Sequence, residues 1–229
     1  MKKLFILFSG ILLVIYGNIA FAGVVITGTR VIYPSDAREV SVKITNKGKR
    51  PVLIQSWIDD GDVKATPEKI KVPFVLTPPI NRVEPEKGQT LRISYTGADL
   101  PSDRETVYWL NVLEIPAKDP LLKDKNMLQM AFRTRIKLFF RPTTLKDDAN
   151  EAISALTWRQ VGQQVMANNP TPYHVSLVEI GINGNKQAVD MVMPFSEKIF
   201  NIAGKPGEKI IGSYVNDYGS IKPFESQIQ

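Results

Sequence analysis

NMLQMAFRTRIKLFFRP, residues 126–142, decides how this chain is read. Every second residue, Leu128, Met130, Phe132, Thr134, Ile136, Leu138 and Phe140, falls on one largely apolar face. The other face carries Gln129, Arg133, Arg135, Lys137 and Arg141, with Met127, Ala131 and Phe139 among them. A period of two is the mark of a β-strand. At about 3.3 Å per residue, a strand over the whole stretch would run roughly 50 Å, about twice the usual length. A long strand with one apolar face is an aggregation hazard unless something covers it.

Upstream, the text is strand and turn. Val24 to Tyr33 is a β-branched run that stops at Pro34-Ser35-Asp36. Glu39 to Thr45 alternates and ends at Asn46-Lys47-Gly48-Lys49, a strong turn signal. Val52–Ile58, Pro73–Thr77, Gln89–Tyr95 and Val107–Ile115 read as further strands, with Pro78-Pro79 imposing extended or turn geometry. Asp59-Asp60-Gly61-Asp62 is acidic but lacks the later ligands and flanking helices of an EF-hand, so it reads as a solvated turn. Pro116 to Lys125 is a polar, charged loop that feeds the long strand.

Downstream, residues 143–150 are polar and read as a linker between two strand-rich blocks. In the second block, 151–229, Leu156–Trp158, Val161–Ala167, Tyr173–Ile182, Ala188–Met193 and Lys209–Tyr214 read as strands. Asn183-Gly184 is a hairpin signal, and Asn201 to Glu208 reads as a loop. Helical periodicity is nowhere sustained. The fold class expected is all-β, two sandwich domains at residues 23–142 and 151–229.

The N-terminus gives an address. Lys2 and Lys3 precede an apolar run from Leu4 to Tyr16, and Ala20-Phe21-Ala22 is a small-x-small cleavage site. Residues 1–22 therefore read as a secretory signal peptide cleaved after Ala22. Its removal lowers the formal net charge from +6 to +4. That residual basicity fits solubility and anion-facing sites, and nucleic acid is not an expected partner of an exported protein. Cysteine is absent, so the cores must hold without disulfides, and zinc-thiolate or iron–sulfur chemistry is excluded. His174 is the single histidine, which excludes a multi-histidine metal site. No metal or cofactor is expected. No nucleophile elbow or phosphate loop is present, so no enzyme is expected.

Leu100 to Pro116, LPSDRETVYWLNVLEIP, closely resembles the signature of the periplasmic pilus-assembly chaperones of the chaperone–usher pathway in Gram-negative bacteria. Thr29-Arg30-Val31-Ile32-Tyr33 resembles that family's first strand. Gln55-Ser56-Trp57-Ile58, Thr77-Pro78-Pro79 with Arg82, and Leu91-Arg92-Ile93 fit its N-terminal core. Ile136 to Pro142, Asn169-Pro170-Thr171-Pro172-Tyr173 and Asn216-Asp217-Tyr218-Gly219 match its later motifs. The resemblance implies two immunoglobulin-like domains in a boomerang arrangement. It also implies a chaperone that holds pilus (fimbrial) subunits by donor-strand complementation and delivers them to an outer-membrane usher.

By position within those motifs, Leu128, Met130 and Phe132 are the donor residues, entering the groove of an incomplete subunit. Arg30 and Lys137 match the pair that anchors the subunit's C-terminal carboxylate. An arginine fork and a mobile lysine charge suit that task. Glu105, Arg141 and Asp217 match a charged network across the domain interface. Thr171 is a candidate for lining the cleft, and His174 reads as a packing residue. The nine residues from Ala117 to Lys125, without cysteine, fit the family's short-loop class. Lys137 has the opposite parity to the three donors, so anchor and donors need not share a face. A glutamate and an aspartate could form an acid/base pair, but an arginine expected beside them favours a structural network. The rival reading is a structural immunoglobulin-like pilin or cell-surface protein, which would typically be a single incomplete domain. The sequence does not name the pilus system or the usher contacts, and leaves open whether the free protein self-associates.

Overall fold

The computed structural model describes residues 23–117 and 128–229. Residues 1–22, read from the sequence as a signal peptide, and most of the stretch 117–125 lie outside the described residues. Nine strands build the first sandwich: β1 (Val24–Ile26), β2 (Arg30–Pro34), β3 (Val40–Asn46), β4 (Val52–Asp59), β5 (Phe74–Thr77), β6 (Ile80–Val83), β7 (Gly88–Tyr95), β8 (Thr106–Pro116) and β9 (Phe132–Arg141). Seven build the second: β10 (Thr157–Val161), β11 (Gln164–Asn169), β12 (Leu177–Ile182), β13 (Asn185–Ala188), β14 (Ser196–Phe200), β15 (Lys209–Val215) and β16 (Ile221–Gln227). Two short 3-10 turns, Pro67–Lys69 and Ala149–Ala155, are the helical elements among the described residues.

The N-terminal sandwich stacks a β1-β3-β7-β5 sheet on a β2-β9-β8-β4-β6 sheet. Its core holds Tyr33, Ile44, Ile54, Leu91, Ile93, Leu110 and Leu138, all fully buried. These come from alternate positions, as two inward faces require. The C-terminal sandwich stacks β10-β11-β14 on β13-β12-β15-β16 around Trp158, Val165, Ile180, Val192 and Ile210.

Three expectations need correction. The run from Val24 to Tyr33 is not one strand. Val24–Ile26 pairs with β3 in one sheet, and Arg30–Pro34 pairs with β9 in the other. Gly28 stands between them at φ 95°, a backbone state open to glycine, and lets the chain change sheets. The long strand is also shorter than its sequence period. β9 begins at Phe132, opposite Glu114 of β8, and runs about 33 Å. Among the described residues, those upstream of Phe132 have no ladder partner, and Pro116, the last residue of β8, has no N–H to offer. Finally, Tyr173–Ile182 and Ala188–Met193 are strands only in part. Their outer portions meet through a single Val175–Val192 bridge. β6, β14 and β16, and most of β13, were not foreseen.

Candidate functional site

β9 is the element from which the site is built. It pairs antiparallel with β8 and parallel with β2, and that register sets Arg30 directly beside Lys137. Its even-numbered residues Ile136, Leu138 and Phe140 enter the sandwich core. Its odd-numbered residues point the other way and each finds a partner. Arg133 donates to the Val63 carbonyl at 3.1 Å. Arg135 grips buried Asp59 and stacks over the Trp109 ring at 4.6 Å. Lys137 faces Asp190, Phe139 packs in the domain interface, and Arg141 binds two carboxylates.

The parity difference is thereby settled. Phe132 stands on the same side of the strand as the core, at the end where the sandwich stops. Lys137 stands on the side that faces the second domain. Leu128 and Met130 precede the strand and belong to no ladder. Leu128 is 85% exposed, Met130 56% and Phe132 60%. Gln129 Nε2 donates to the Pro116 carbonyl at 2.6 Å. Three large apolar side chains within five residues are thus left in water, where burying each would be worth about 1.5–3 kcal/mol.

Beside Lys137, the guanidinium of Arg30 lies over the Phe139 ring at 5.6 Å, and its Nε is buried without a hydrogen-bond partner. Burial pushes Arg30 below its ordinary pKa, while Asp217 and Glu105 pull it back. Burial likewise lowers Lys137, opposed by Asp190. Two cations held side by side and partly dehydrated would each regain from a carboxylate what burial has taken from them. Arg30, His174, Ser176, Tyr214, Asn216 and Asp217 line a small cavity between the domains. Thr171 does not line it. Its hydroxyl donates to Asn169 Oδ1 at 2.7 Å, inside its own turn.

Glu105, Arg141 and Asp217 are brought together, and a fourth residue joins them. Arg141 Nε donates to Glu105 Oε1 at 2.6 Å. Its Nη1 and Nη2 reach Asp217 Oδ2 and Oδ1 at 2.6 and 2.9 Å, a two-pronged pair. His174 completes the set: its backbone N–H donates to Glu105 Oε2 at 2.9 Å, and Nδ1 lies 3.1 Å from the same oxygen. The Glu105 N–H donates in turn to the Pro172 carbonyl at 2.9 Å. Glu105 and Arg141 sit in the first sandwich, His174 and Asp217 in the second. His174 is therefore an interface residue and not merely packing. Burial alone would raise Glu105, but the His174 hydrogen bonds and the Arg141 charge hold it below the usual carboxylate range. Burial also works against the Arg141 charge, and Asp217 with Glu105 keep it well above its ordinary value. Around this network, Val107 and Phe139 of the first domain pack on Met191 of the second.

Asp59 departs from the solvated turn expected of its acidic run. It is buried, and accepts from Asn111 Nδ2 at 2.6 Å, Gly61 N–H at 2.8 Å and Arg135 Nε at 3.2 Å. Asp190 and Lys198, whose charges act on Lys137, carried no signal of their own in the sequence.

Comparison with known proteins agrees with this geometry. Residues 23–146 match the family model for the pili and flagellar-assembly chaperone PapD N-terminal domain, and 151–226 match the model for the pili assembly chaperone PapD C-terminal domain. The chain is 43% identical over 219 residues to the "Probable fimbrial chaperone YadV" of Escherichia coli, covering 89% of each. It is 42% identical over 218 residues to the "Chaperone protein FimB/FhaD" of Bordetella pertussis, covering 91% of this chain and 89% of the relative. Among solved structures, the CupB2 chaperone of Pseudomonas aeruginosa aligns with a TM-score of 0.76 at 40% identity, over 90% of this chain and 100% of that one. A chain from the complex of the Salmonella enterica SafA pilin with the SafB chaperone aligns with a TM-score of 0.79 at 29% identity, over 92% and 98%. With both domain models matched in order and relatives of such identity over most of its length, the chain belongs to the pili assembly chaperones of the PapD family.

Proposed function

We propose that this protein is a periplasmic chaperone that binds pilus subunits by lending them a strand, keeps them from aggregating, and passes them to an outer-membrane usher. The observation that carries the reading is the layout of β9. Exposed Leu128, Met130 and Phe132 extend one end of the strand's core-facing side, and Arg30 with Lys137 stand five residues further on, about 16 Å away. An incomplete subunit sandwich needs both a strand's hydrogen bonds and apolar side chains at alternate positions. Residues 128–131 belong to no ladder among the described residues and carry those side chains. The two cations give the subunit's C-terminal carboxylate a fixed landing point, and so fix the register, since a slip of one residue would present the wrong face. Met130, Leu128 and Phe132 are thus assigned as donors, and Arg30 and Lys137 as the anchor.

Glu105, Arg141 and Asp217 hold the angle between the domains. Both carboxylates are committed to one guanidinium, which fits a lock and leaves neither as a free general base. The boundaries proposed are a signal peptide over 1–22, an N-terminal domain over 23–142, a linker over 143–150 and a C-terminal domain over 151–229. Separate cores for residues 31–140 and 152–228 support them.

Co-expression with candidate pilins tests the proposal. The wild-type chain is expected to co-purify one-to-one with a subunit. Arg30→Ala and Lys137→Ala are expected to abolish subunit recovery while the chaperone stays folded. Normal subunit yield from the double variant would sink the anchoring role.

A further inference from the structure

Lys137 already has a carboxylate. Asp190, in the segment that leads from β13 to β14 of the second domain, places Oδ1 3.5 Å from Lys137 Nζ across the interface. The same Oδ1 accepts the Met191 N–H at 2.7 Å, which orients it. The Met191 side chain is itself packed on Val107 and Phe139, so the segment carrying Asp190 is pinned to the first domain. The Asp190 side chain is 76% exposed and Lys137 24% exposed. The pair is therefore long, wet on the acid's side and easily opened. Arg30, next along the sheet, has no such partner within ion-pair distance among the described residues, and Lys198 adds a third positive charge nearby. Lys198 is fixed by donating to the Met191 carbonyl at 2.9 Å. The charges around Lys137 are thus Asp190, Arg30 and Lys198, and Asp190 is the one anion in that set.

Resting on the anchoring reading above, we infer that Asp190 is a built-in competitor for the anchor. It occupies Lys137 in the free chaperone, and an arriving C-terminal carboxylate binds by exchange with it. An ammonium holds several acceptors at once, but two carboxylates on one ammonium repel each other at contact distance. The incoming group must therefore displace Asp190 or share Lys137 with it at a loss. The consequence is selectivity. A loose carboxylate, such as any unfolded peptide end or a small organic acid, offers Lys137 nothing that Asp190 does not already supply. A chain that also pairs its backbone with β9 adds strand contacts that Asp190 cannot match, and wins the exchange. The exposed pair keeps the barrier low, because solvent-exposed ion pairs are weak.

The test uses the full mature chain and a synthetic peptide of alternating valine and threonine, with either a free C-terminal carboxylate or a C-terminal amide. Asp190→Asn keeps the oxygen that accepts the Met191 N–H and removes the charge, so the segment stays oriented. Calorimetric titration of wild type should show tighter binding of the acid than of the amide, the signature of the anchor. Asp190→Asn should bind the acid about two- to fivefold more tightly than wild type, the range an exposed ion pair supports, and bind the amide as wild type does. Acetate should inhibit acid-peptide binding more strongly in Asp190→Asn than in wild type. If wild type discriminates acid from amide but Asp190→Asn binds the acid equally or more weakly, Asp190 is not a competitor, and the anchor reading survives. If wild type does not discriminate, the anchor reading itself fails and takes this inference with it.

Discussion

Replacing Glu105 with alanine should separate the two domains energetically. The Glu105 side chain is 2% exposed and serves three donors: Arg141 Nε, the His174 backbone N–H and His174 Nδ1. Alanine leaves a buried amide hydrogen unpaired and half of the Arg141 guanidinium without its anion. Removing one member of a buried, hydrogen-bonded pair costs about 3–5 kcal/mol. Arg141 keeps its two bonds to Asp217, so the lower half of that range, about 3 kcal/mol, is expected. With a urea dependence of about 2–3 kcal/mol per molar, the midpoint should fall by roughly 1–1.5 M. Tryptophan fluorescence is a suitable assay because the reporters divide between domains: Trp57 and Trp109 in the first, Trp158 in the second. The wild-type signals should unfold together and those of Glu105→Ala should separate. Lys47→Ala, which breaks an exposed pair with Glu86, is the control and should move the midpoint little. If Glu105→Ala behaves like Lys47→Ala, the interface does not depend on this network and the lock is wrongly assigned.

Two further outcomes concern buried carboxylates. Because the folded state holds Glu105 below its ordinary value, its contribution is complete above the unfolded value near 4.3 and is lost as pH falls through the lower folded value; limited proteolysis of the linker should accelerate across that acid window in wild type and less steeply in Glu105→Gln. Arg135→Ala should strand buried Asp59 and lower N-terminal domain stability by about 3 kcal/mol in a urea melt, leaving the Trp158 transition where it was; no change would mean that Asn111 and Gly61 suffice to hold the aspartate.

The fold was largely written in the period-two pattern of residues 132–140, because one face meets a core and the other meets partners. The pattern could not say where pairing ends. Leu128 and Met130 continue the alternation, yet the ladder between β8 and β9 begins only at Phe132, opposite Glu114. The change of sheet at Gly28 was hidden for a related reason: Val24 to Tyr33 is uniformly strand-like, and only the partners differ on the two sides. Of the site, the motif matches to Arg30, Lys137, Glu105, Arg141 and Asp217 identified charges that the structure does bring together at the interface. They did not reveal His174, which follows the Asn169-Pro170-Thr171-Pro172-Tyr173 motif directly and carries its backbone N–H to Glu105. Asp190 and Asp59 were invisible or misread because an acid's role depends on which cation the fold sets beside it.

Position 130, in the exposed segment before β9, gives the most direct test of the donor assignment. A photo-crosslinking amino acid at Met130, in a chaperone co-expressed with a candidate pilin, should crosslink to apolar residues inside the subunit's groove, with Met130→Asp abolishing subunit recovery. Crosslinks confined to the chaperone's own domains, or full recovery with Met130→Asp, would contradict the donor assignment.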